Sequence, residues 1–388
     1  MRNPWHRQFA VPAALGVLLA VVHAGIGTIE TEGALAIVLR VASFAILIWL
    51  VSRGADWVVD GAAGLARRLG ISELVIGLSV VAFGTSAPEM AASVVAGLRG
   101  SGDITVANVI GSNIFNMYFI LGAVALFTAG GVHIARPLVK RDGPILLLGT
   151  VLALVALGHL PGATRLADGS TEPVLGTLLN MRLDFIEGLA LLLGLAVYIW
   201  LLYIARRDTG GRPATQQPSD GHWIGEAVYL IVGLVMVVGG CQYLIGYAEP
   251  ASRGLEGFGA LWFAYYFSIP EYVIGITIVA AGTSAPELVV SLAAARHGSA
   301  DMSVGNLLGS SVFNIFGVLG IAGVLLQPPI AASVIVSHQA ALSMAVMCLI
   351  LVVILIFMYT GRRLSRLEGG ILVLFGLGQW LFDLLVRR

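Results

Sequence analysis

The hexapeptide Gly84-Thr85-Ser86-Ala87-Pro88-Glu89 occurs twice, returning as Gly282-Thr283-Ser284-Ala285-Pro286-Glu287. Each copy lies inside a long apolar run, where a charged side chain is expensive. A carboxylate near the centre of a bilayer costs several kcal/mol unless it has a partner, so it marks a working site by default. The proline shapes the chain around it. Its missing N–H, and the clash of its ring with the carbonyl four residues back at Gly84 or Gly282, break a helix there. Backbone oxygens near Gly84–Thr85 and Gly282–Thr283 are thereby freed. Hard cations bind carboxylate, carbonyl and hydroxyl oxygens, and a broken helix of this kind offers all of them at membrane depth. Gly, Ser, Thr and Pro also serve as packing residues and tolerated kinks in membrane helices. The glutamate and its repetition favour an ion site over packing alone.

Composition agrees with a chain surrounded by lipid. The sequence is 58% hydrophobic and 11% charged, against about 25% charged in an average soluble domain. Charges collect between apolar runs long enough to cross a bilayer as helices. The formal net charge is +0, which leaves no electrostatic footprint for nucleic acid. The two cysteines, Cys241 and Cys348, lie in separate apolar runs and read as small packing residues. The histidines show no paired spacing, and neither HExxH nor CxxC occurs, so a zinc enzyme has no support.

Taken in order, residues 1–32 hold an apolar run, Phe9–Gly27, behind Arg2 and Arg7. It reads as an extra spanning helix or as a secretory signal with Val22 and Ala24 at an A-x-A-like site. A helix places Arg2 and Arg7 on the same face as the Arg- and Lys-rich loops, which favours the helix. Residues 33–205 then carry runs at Leu35–Val59, Leu74–Leu98, Ile104–Leu126, Pro144–Leu160 and Phe185–Ile204. Glu89 lies in the second of these runs. The third opens with Asp103 in an N-cap position and Ser101 nearby. Along it, Asn108, Ser112 and Asn116 recur at intervals of four, which puts three polar groups on one stripe of a helix. The short link before this run makes it an antiparallel neighbour of the helix carrying Glu89. Asp184 and Glu187 suit the N-terminus of the fifth helix. Residues 206–222 are polar and rich in Gly, Pro and Gln, and form the one credible linker.

Residues 223–388 repeat the pattern, with runs at Ile224–Ala248, Val273–Ala295, Met302–Leu326, Ala340–Tyr359 and Gly369–Val386. The register is strict. Glu287, Asp301, Asn306, Ser310 and Asn314 each follow Glu89, Asp103, Asn108, Ser112 and Asn116 by 198 residues. Upstream, Gly240-Cys241-Gln242-Tyr243 follows Gly54-Ala55-Asp56-Trp57 by 186. The second half therefore carries 12 extra residues before Glu271, a Gly- and Pro-containing segment ending in Leu261-Trp262-Phe263-Ala264-Tyr265-Tyr266-Phe267. Aromatics of this kind favour a membrane interface.

The expected fold is an all-α membrane protein of ten transmembrane helices in two five-helix repeats, plus one extra N-terminal helix. Five is odd, so the second repeat enters the membrane from the opposite face. Inverted repeats are a recurrent transporter architecture, with the site near the midplane between them. Loop charge agrees: one alternate set of loops holds twelve Arg and Lys, the other four plus the C-terminal Arg387 and Arg388. By the positive-inside rule the first set, and the linker with it, is cytoplasmic.

At these residues the chain resembles the calcium/cation antiporter superfamily, in particular prokaryotic sodium/calcium exchangers. The resemblance rests on the two GTSAPE hexapeptides, on Gly111-Ser112-Asn113-Ile114-Phe115-Asn116 and on Gly309-Ser310-Ser311-Val312-Phe313-Asn314, and covers about residues 35–388. It implies that Glu89 and Glu287 are shared carboxylates for calcium and sodium. Thr85 and Thr283 would offer backbone oxygens to calcium. Ser86, Ser284, Ser112 and Ser310 would help form flanking sodium sites, and Asn116 would sit at the central position. Many relatives carry Asp where this chain has Asn314, which removes a third carboxylate and counts against potassium co-transport.

The implied function is secondary-active exchange of calcium for sodium by alternating access in a multi-pass protein of the bacterial inner membrane, with lipid and the transported ions as its partners and no cofactor. Physical argument supports exchange independently. Two carboxylates neutralise one divalent or two monovalent ions, while the empty dianion is costly to occlude. Exchange that leaves one surplus charge is electrogenic, at about 2.3 kcal/mol per charge per 100 mV. A channel, an intramembrane hydrolase and a proton/calcium antiporter are the alternatives. The last is the nearest rival, because a buried glutamate can carry a proton as well as sodium.

Overall fold

A computed structural model describes residues 34–68, 82–128, 130–157, 181–208, 223–251, 254–296, 300–326, 334–336, 338–361 and 363–386. The N-terminal segment 1–32 and most of the 206–222 linker lie outside these residues. The helices are α1 (Ala34–Arg68), α2 (Ala82–Thr85), α3 (Ala87–Leu98), α4 (Gly102–Phe127), α5 (Gly143–Leu157), α6 (Phe185–Asp208) and α7 (Trp223–Ile245). They continue as α8 (Gly259–Tyr266), α9 (Glu271–Thr283), α10 (Ala285–Arg296), α11 (Ala300–Leu325), α12 (His338–Gly361) and α13 (Arg366–Val386). Among the described residues, seven helices are long and apolar enough to cross a membrane, and α9 with α10 makes an eighth span bent by 48°. Several helices outrun their apolar runs. Arg67 and Arg68 end α1 rather than lying in a loop, and Arg68 Nε donates to Glu226 Oε2 on α7 at 2.5 Å.

The interior is sorted by polarity. In α4 and α11, which carry the polar stripes, 78% and 89% of the spanning window is buried, against 22% for α6 and α13. The outer helices turn large apolar side chains outward, among them Leu193, Trp200, Leu349 and Leu374. Such a continuous apolar surface calls for a non-aqueous surrounding. Inside, close backbone approach replaces side-chain bulk. A Cβ on Gly111 of α4 would meet the Ile276 carbonyl of α9 at 2.3 Å, so these two helices touch almost backbone to backbone.

Among the described residues, six short strands tie the helix ends together: β1 (Val132–His133), β2 (Met181–Leu183), β3 (Tyr247–Ala251), β4 (Gly254–Phe258), β5 (Val334–Val336) and β6 (Arg363–Leu364). The connection between α4 and α5 pairs with that between α12 and α13, with Val132 opposite Leu364. The connection between α5 and α6 pairs with that between α11 and α12, with Arg182 opposite Ile335.

Two expectations are corrected here. The N-cap of α4 is Ser101, whose hydroxyl accepts from the Ile104 amide, and Asp103 sits in the first turn. The 12-residue insertion folds as the β3–β4 hairpin followed by α8. Its aromatics do not all seek an interface. Trp262 and Phe263 are buried, Trp262 under the Arg40 guanidinium at 4.0 Å and Phe263 edge-on to Phe44 at 5.8 Å. Only Tyr265, Tyr266 and Phe267 are exposed. Packing partners on α1 take the first two inward, where a cation–π contact offsets the burial of Arg40.

Candidate ion-binding site

Both hexapeptides break their helix at the serine. Ser86 separates α2 from α3 with φ −84° and ψ 1°, and Ser284 separates α9 from α10 with φ −82° and ψ 9°. Pro88 and Pro286 fall in the first turn of the helix that follows, where the missing N–H costs nothing. The break therefore comes just ahead of the proline. It leaves Glu89 and Glu287 in the first turns of α3 and α10, at the positive ends of their helix dipoles. Both glutamates are fully buried, with 0% exposure.

The site is built crosswise, each half lending hydroxyls to the other. Ser284 Oγ donates to Glu89 Oε1 at 2.9 Å. Thr85 Oγ1 lies 3.1 Å from Ser310 Oγ, and the equivalent pair, Thr283 Oγ1 and Ser112 Oγ, is 3.5 Å apart. Thr85 and Ser310 both stand beside the Glu287 carboxylate. Asn108 locks the arrangement. Its amide donates to the Glu89 carbonyl at 3.1 Å and to Ser93 Oγ at 3.0 Å, while its Oδ1 accepts from Thr283 Oγ1 at 3.2 Å.

Several buried polar atoms remain without a hydrogen-bond partner among the described residues: Glu89 Oε2, both oxygens of Glu287, Ser86 Oγ and both side-chain polar atoms of Asn116. An unpaired buried carboxylate is among the most unfavourable groups a protein can hold. Here oxygens of two carboxylates, flanked by hydroxyls, share one buried region. This donor chemistry fits a hard cation. Asn116 and Asn314 occupy equivalent second positions in π-helical stretches, Phe115–Ile120 of α4 and Phe313–Val318 of α11. Such stretches cluster at functional sites. Asn314 Nδ2 donates to Asn113 Oδ1 at 3.2 Å, and Asn113 Nδ2 donates to the Ser311 carbonyl at 3.3 Å.

The description "Sodium/calcium exchanger protein" fits a family whose pattern matches residues 39–204 and 226–378, one stretch on each side of the linker. The chain belongs to the sodium/calcium exchanger family. It is 34% identical over 337 residues to the putative antiporter CaxA of Alkalimonas amylolytica, covering 86% of this chain and 93% of that one. It is 31% identical over 347 residues to the sodium/calcium exchanger MaX1 of Methanosarcina acetivorans, covering 85% and 93%. Among solved structures, it resembles the sodium-calcium exchanger NCX_Mj soaked with sodium and strontium, with a TM-score of 0.57, 26% identity, and coverage of 88% of this chain and 97% of that one.

Within this family member, the structure brings together Glu89, Glu287, Thr85, Thr283, Ser284, Ser112 and Ser310. Ser86, Asn116 and Asn314 are equally buried, but only Asn314 of these three has a side-chain hydrogen bond among the described residues. Sequence reasoning missed Asn113, Ser93 and Ser291. Ser291 Oγ accepts from Asn306 at 3.4 Å, as Ser93 does from Asn108. Ser291 also follows Ser93 by 198 residues, so the repeat interval that located the glutamates locates these serines too.

Proposed function

We propose that the protein exchanges calcium for sodium across the membrane by alternating access, with Glu89 and Glu287 as the shared carboxylates of a site between two inverted repeats. The carrying observation is that two buried carboxylates, with three of their four oxygens lacking a hydrogen-bond partner among the described residues, come from the two halves, with each half supplying hydroxyls beside the other's glutamate. Thr85, Ser86, Ser112, Asn116, Thr283, Ser284, Ser310 and Asn314 complete the oxygen set. Calcium bound to both carboxylates neutralises the pair. Two sodium ions do the same, so the loads compete and the bare dianion is the form that resists occlusion.

Inversion is supported by the strand pairing. In two repeats of the same orientation, the α4–α5 connection would share a face with its equivalent, α11–α12. It pairs instead with α12–α13, while α11–α12 pairs with α5–α6. The contact between Asn113 and Ser311, which are equivalents 198 residues apart, supports an axis between the halves. Calcium uptake into proteoliposomes tests the function directly. Uptake is expected to follow an imposed sodium gradient. Uptake that follows a pH gradient and ignores sodium would identify a proton/calcium antiporter, and flux without any counter-ion would identify a channel.

The charge bias puts residues 206–222, between the proposed repeats 33–205 and 223–388, on the cytoplasmic face. A Gln216→Cys variant is therefore expected to react with an impermeant maleimide in inside-out vesicles and to stay unlabelled in intact cells. Labelling in intact cells would reverse the orientation.

A further inference from the structure

The polar network does not stop at the site. From Asn108 and Ser93 it continues to Thr105, whose hydroxyl donates to the carbonyls of Ser93 and Ser101, each at 3.0 Å. Ser101 Oγ in turn donates to Glu271 Oε2. Glu271 is half-buried in the first turn of α9, the helix whose other end presents Thr283. Ser101 caps α4, the helix that presents Asn108, Ser112 and Asn116. The Ser101–Glu271 bond thus joins the two halves at one surface end of the helices that line the site. Nothing in the site chemistry above requires it.

The sequence gives this pair a counterpart. Gly298, Ser299 and Asp301 follow Gly100, Ser101 and Asp103 by 198 residues, and Glu271 follows Glu73 by the same interval. The chain thus keeps a serine and a glutamate at this place in both repeats. Alternating access requires that contacts between the halves at a mouth break when that mouth opens. A hydroxyl–carboxylate bond near the surface suits this task, because water replaces it once it opens and the net cost is modest.

We propose that Ser101 and Glu271 form a latch that favours closure of the mouth on their own face, the face opposite the linker, with Glu271 acting as a positioning residue through Ser101. This rests on the antiport reading. Removing the latch shifts the population toward the form open at that mouth. A carrier's apparent affinity scales with the fraction that is competent to bind. Apparent KM for calcium should therefore fall on the Ser101 face and rise on the linker face. A purely structural defect would weaken both faces alike.

The test is calcium-dependent flux measured from each face, in right-side-out and inside-out vesicles, for the native protein and for Ser101→Ala, Glu271→Ala and Glu271→Gln. For the two alanine variants the ratio of the two KM values should move about tenfold, the effect of a charged hydrogen bond at the low end of its range. Gln keeps an acceptor oxygen for Ser101 and should restore most of the native ratio. Ser101→Ala removes a single oxygen, which keeps the test available if Glu271→Ala folds poorly. An unchanged ratio, or equal changes on both faces, would overturn the latch. Sodium-driven exchange by the native protein in the same vesicles tests the underlying reading separately. Its absence sinks antiport, whereas exchange with an unshifted ratio sinks only the latch.

Discussion

Glu89→Gln and Glu287→Gln are each expected to reduce calcium exchange by about a hundredfold or more while the protein still inserts and folds. Each substitution is nearly isosteric and removes one charge from a pair that must balance a divalent ion. Breaking a buried charge pair costs about 3–5 kcal/mol, or roughly two to nearly four orders of magnitude in binding. The two variants should differ in stability. Glu89 Oε1 accepts from Ser284, whereas neither Glu287 oxygen has a hydrogen-bond partner among the described residues. Removing the charge at 287 therefore relieves an unsatisfied group without breaking a bond, and Glu287→Gln should melt at the same temperature as the native protein in ion-free detergent solution, or higher. Added calcium should raise the melting temperature of the native protein and leave both variants unmoved, since only ligand that binds the folded state stabilises it. Exchange at the native rate by either variant in reconstituted vesicles would show that the assigned carboxylate does not carry the ion.

Much of this candidate site was legible in the sequence, because a charge within an apolar run is conspicuous and a strict repeat makes it more so. Glu89, Glu287 and the broken helices follow from residue chemistry alone. What one helix cannot reveal is which partner its polar stripe faces. Asn108, Ser112 and Asn116 share one stripe of a helix next to the one carrying Glu89, yet among the described residues only Asn108 of the three bonds to Glu89, through the backbone carbonyl. Ser112 reaches across to Thr283. Asn113, one position off the stripe, joins the network through Ser311 and Asn314, and the π-helical stretch Phe115–Ile120 begins only after it. A wider turn rotates the side chains beyond it, and a stripe drawn at 3.6 residues per turn then drifts.

The insertion shows a second limit. Trp262 and Phe263 have the composition of an interfacial belt, but Arg40 and Phe44 on α1 offer them partners. Those partners lie more than two hundred residues away in sequence, and nothing local to the insertion announces them. The capping of α4 was misread for a simpler reason. Asp and Ser both cap helices well, and Ser101 stands two positions nearer the turn, where its oxygen reaches the Ile104 amide at 3.3 Å.

Asn314→Asp is expected to change which ions the protein requires more than it changes folding. Asn314 Nδ2 donates to Asn113 Oδ1, and its own Oδ1 is buried without a hydrogen-bond partner among the described residues. An Asp there loses that donor and places a carboxylate oxygen against the Asn113 oxygen. Asn113 cannot simply turn its amide toward the new acid, because that amide already donates to Ser311. The new charge is also fully buried, on the π-helical stretch of α11 that packs against α3, the helix carrying Glu89. Three like charges out of water repel strongly, so the third must be neutralised by a proton or a further monovalent cation. With Asn, two acids suffice for calcium and no third cation is called for. The native protein should therefore exchange calcium for sodium at the same rate whether or not potassium is present. The Asp variant should lose about tenfold or more in flux at alkaline pH, where the third acid has no proton, and recover it with added potassium or at lower pH; tenfold corresponds to ~1.4 kcal/mol. Flux of both forms across a matrix of potassium concentration and pH decides the matter. If the native protein requires potassium, two acids do not suffice. If both forms share one ion and pH dependence, Asn314 serves only to bridge α11 to α4 through Asn113.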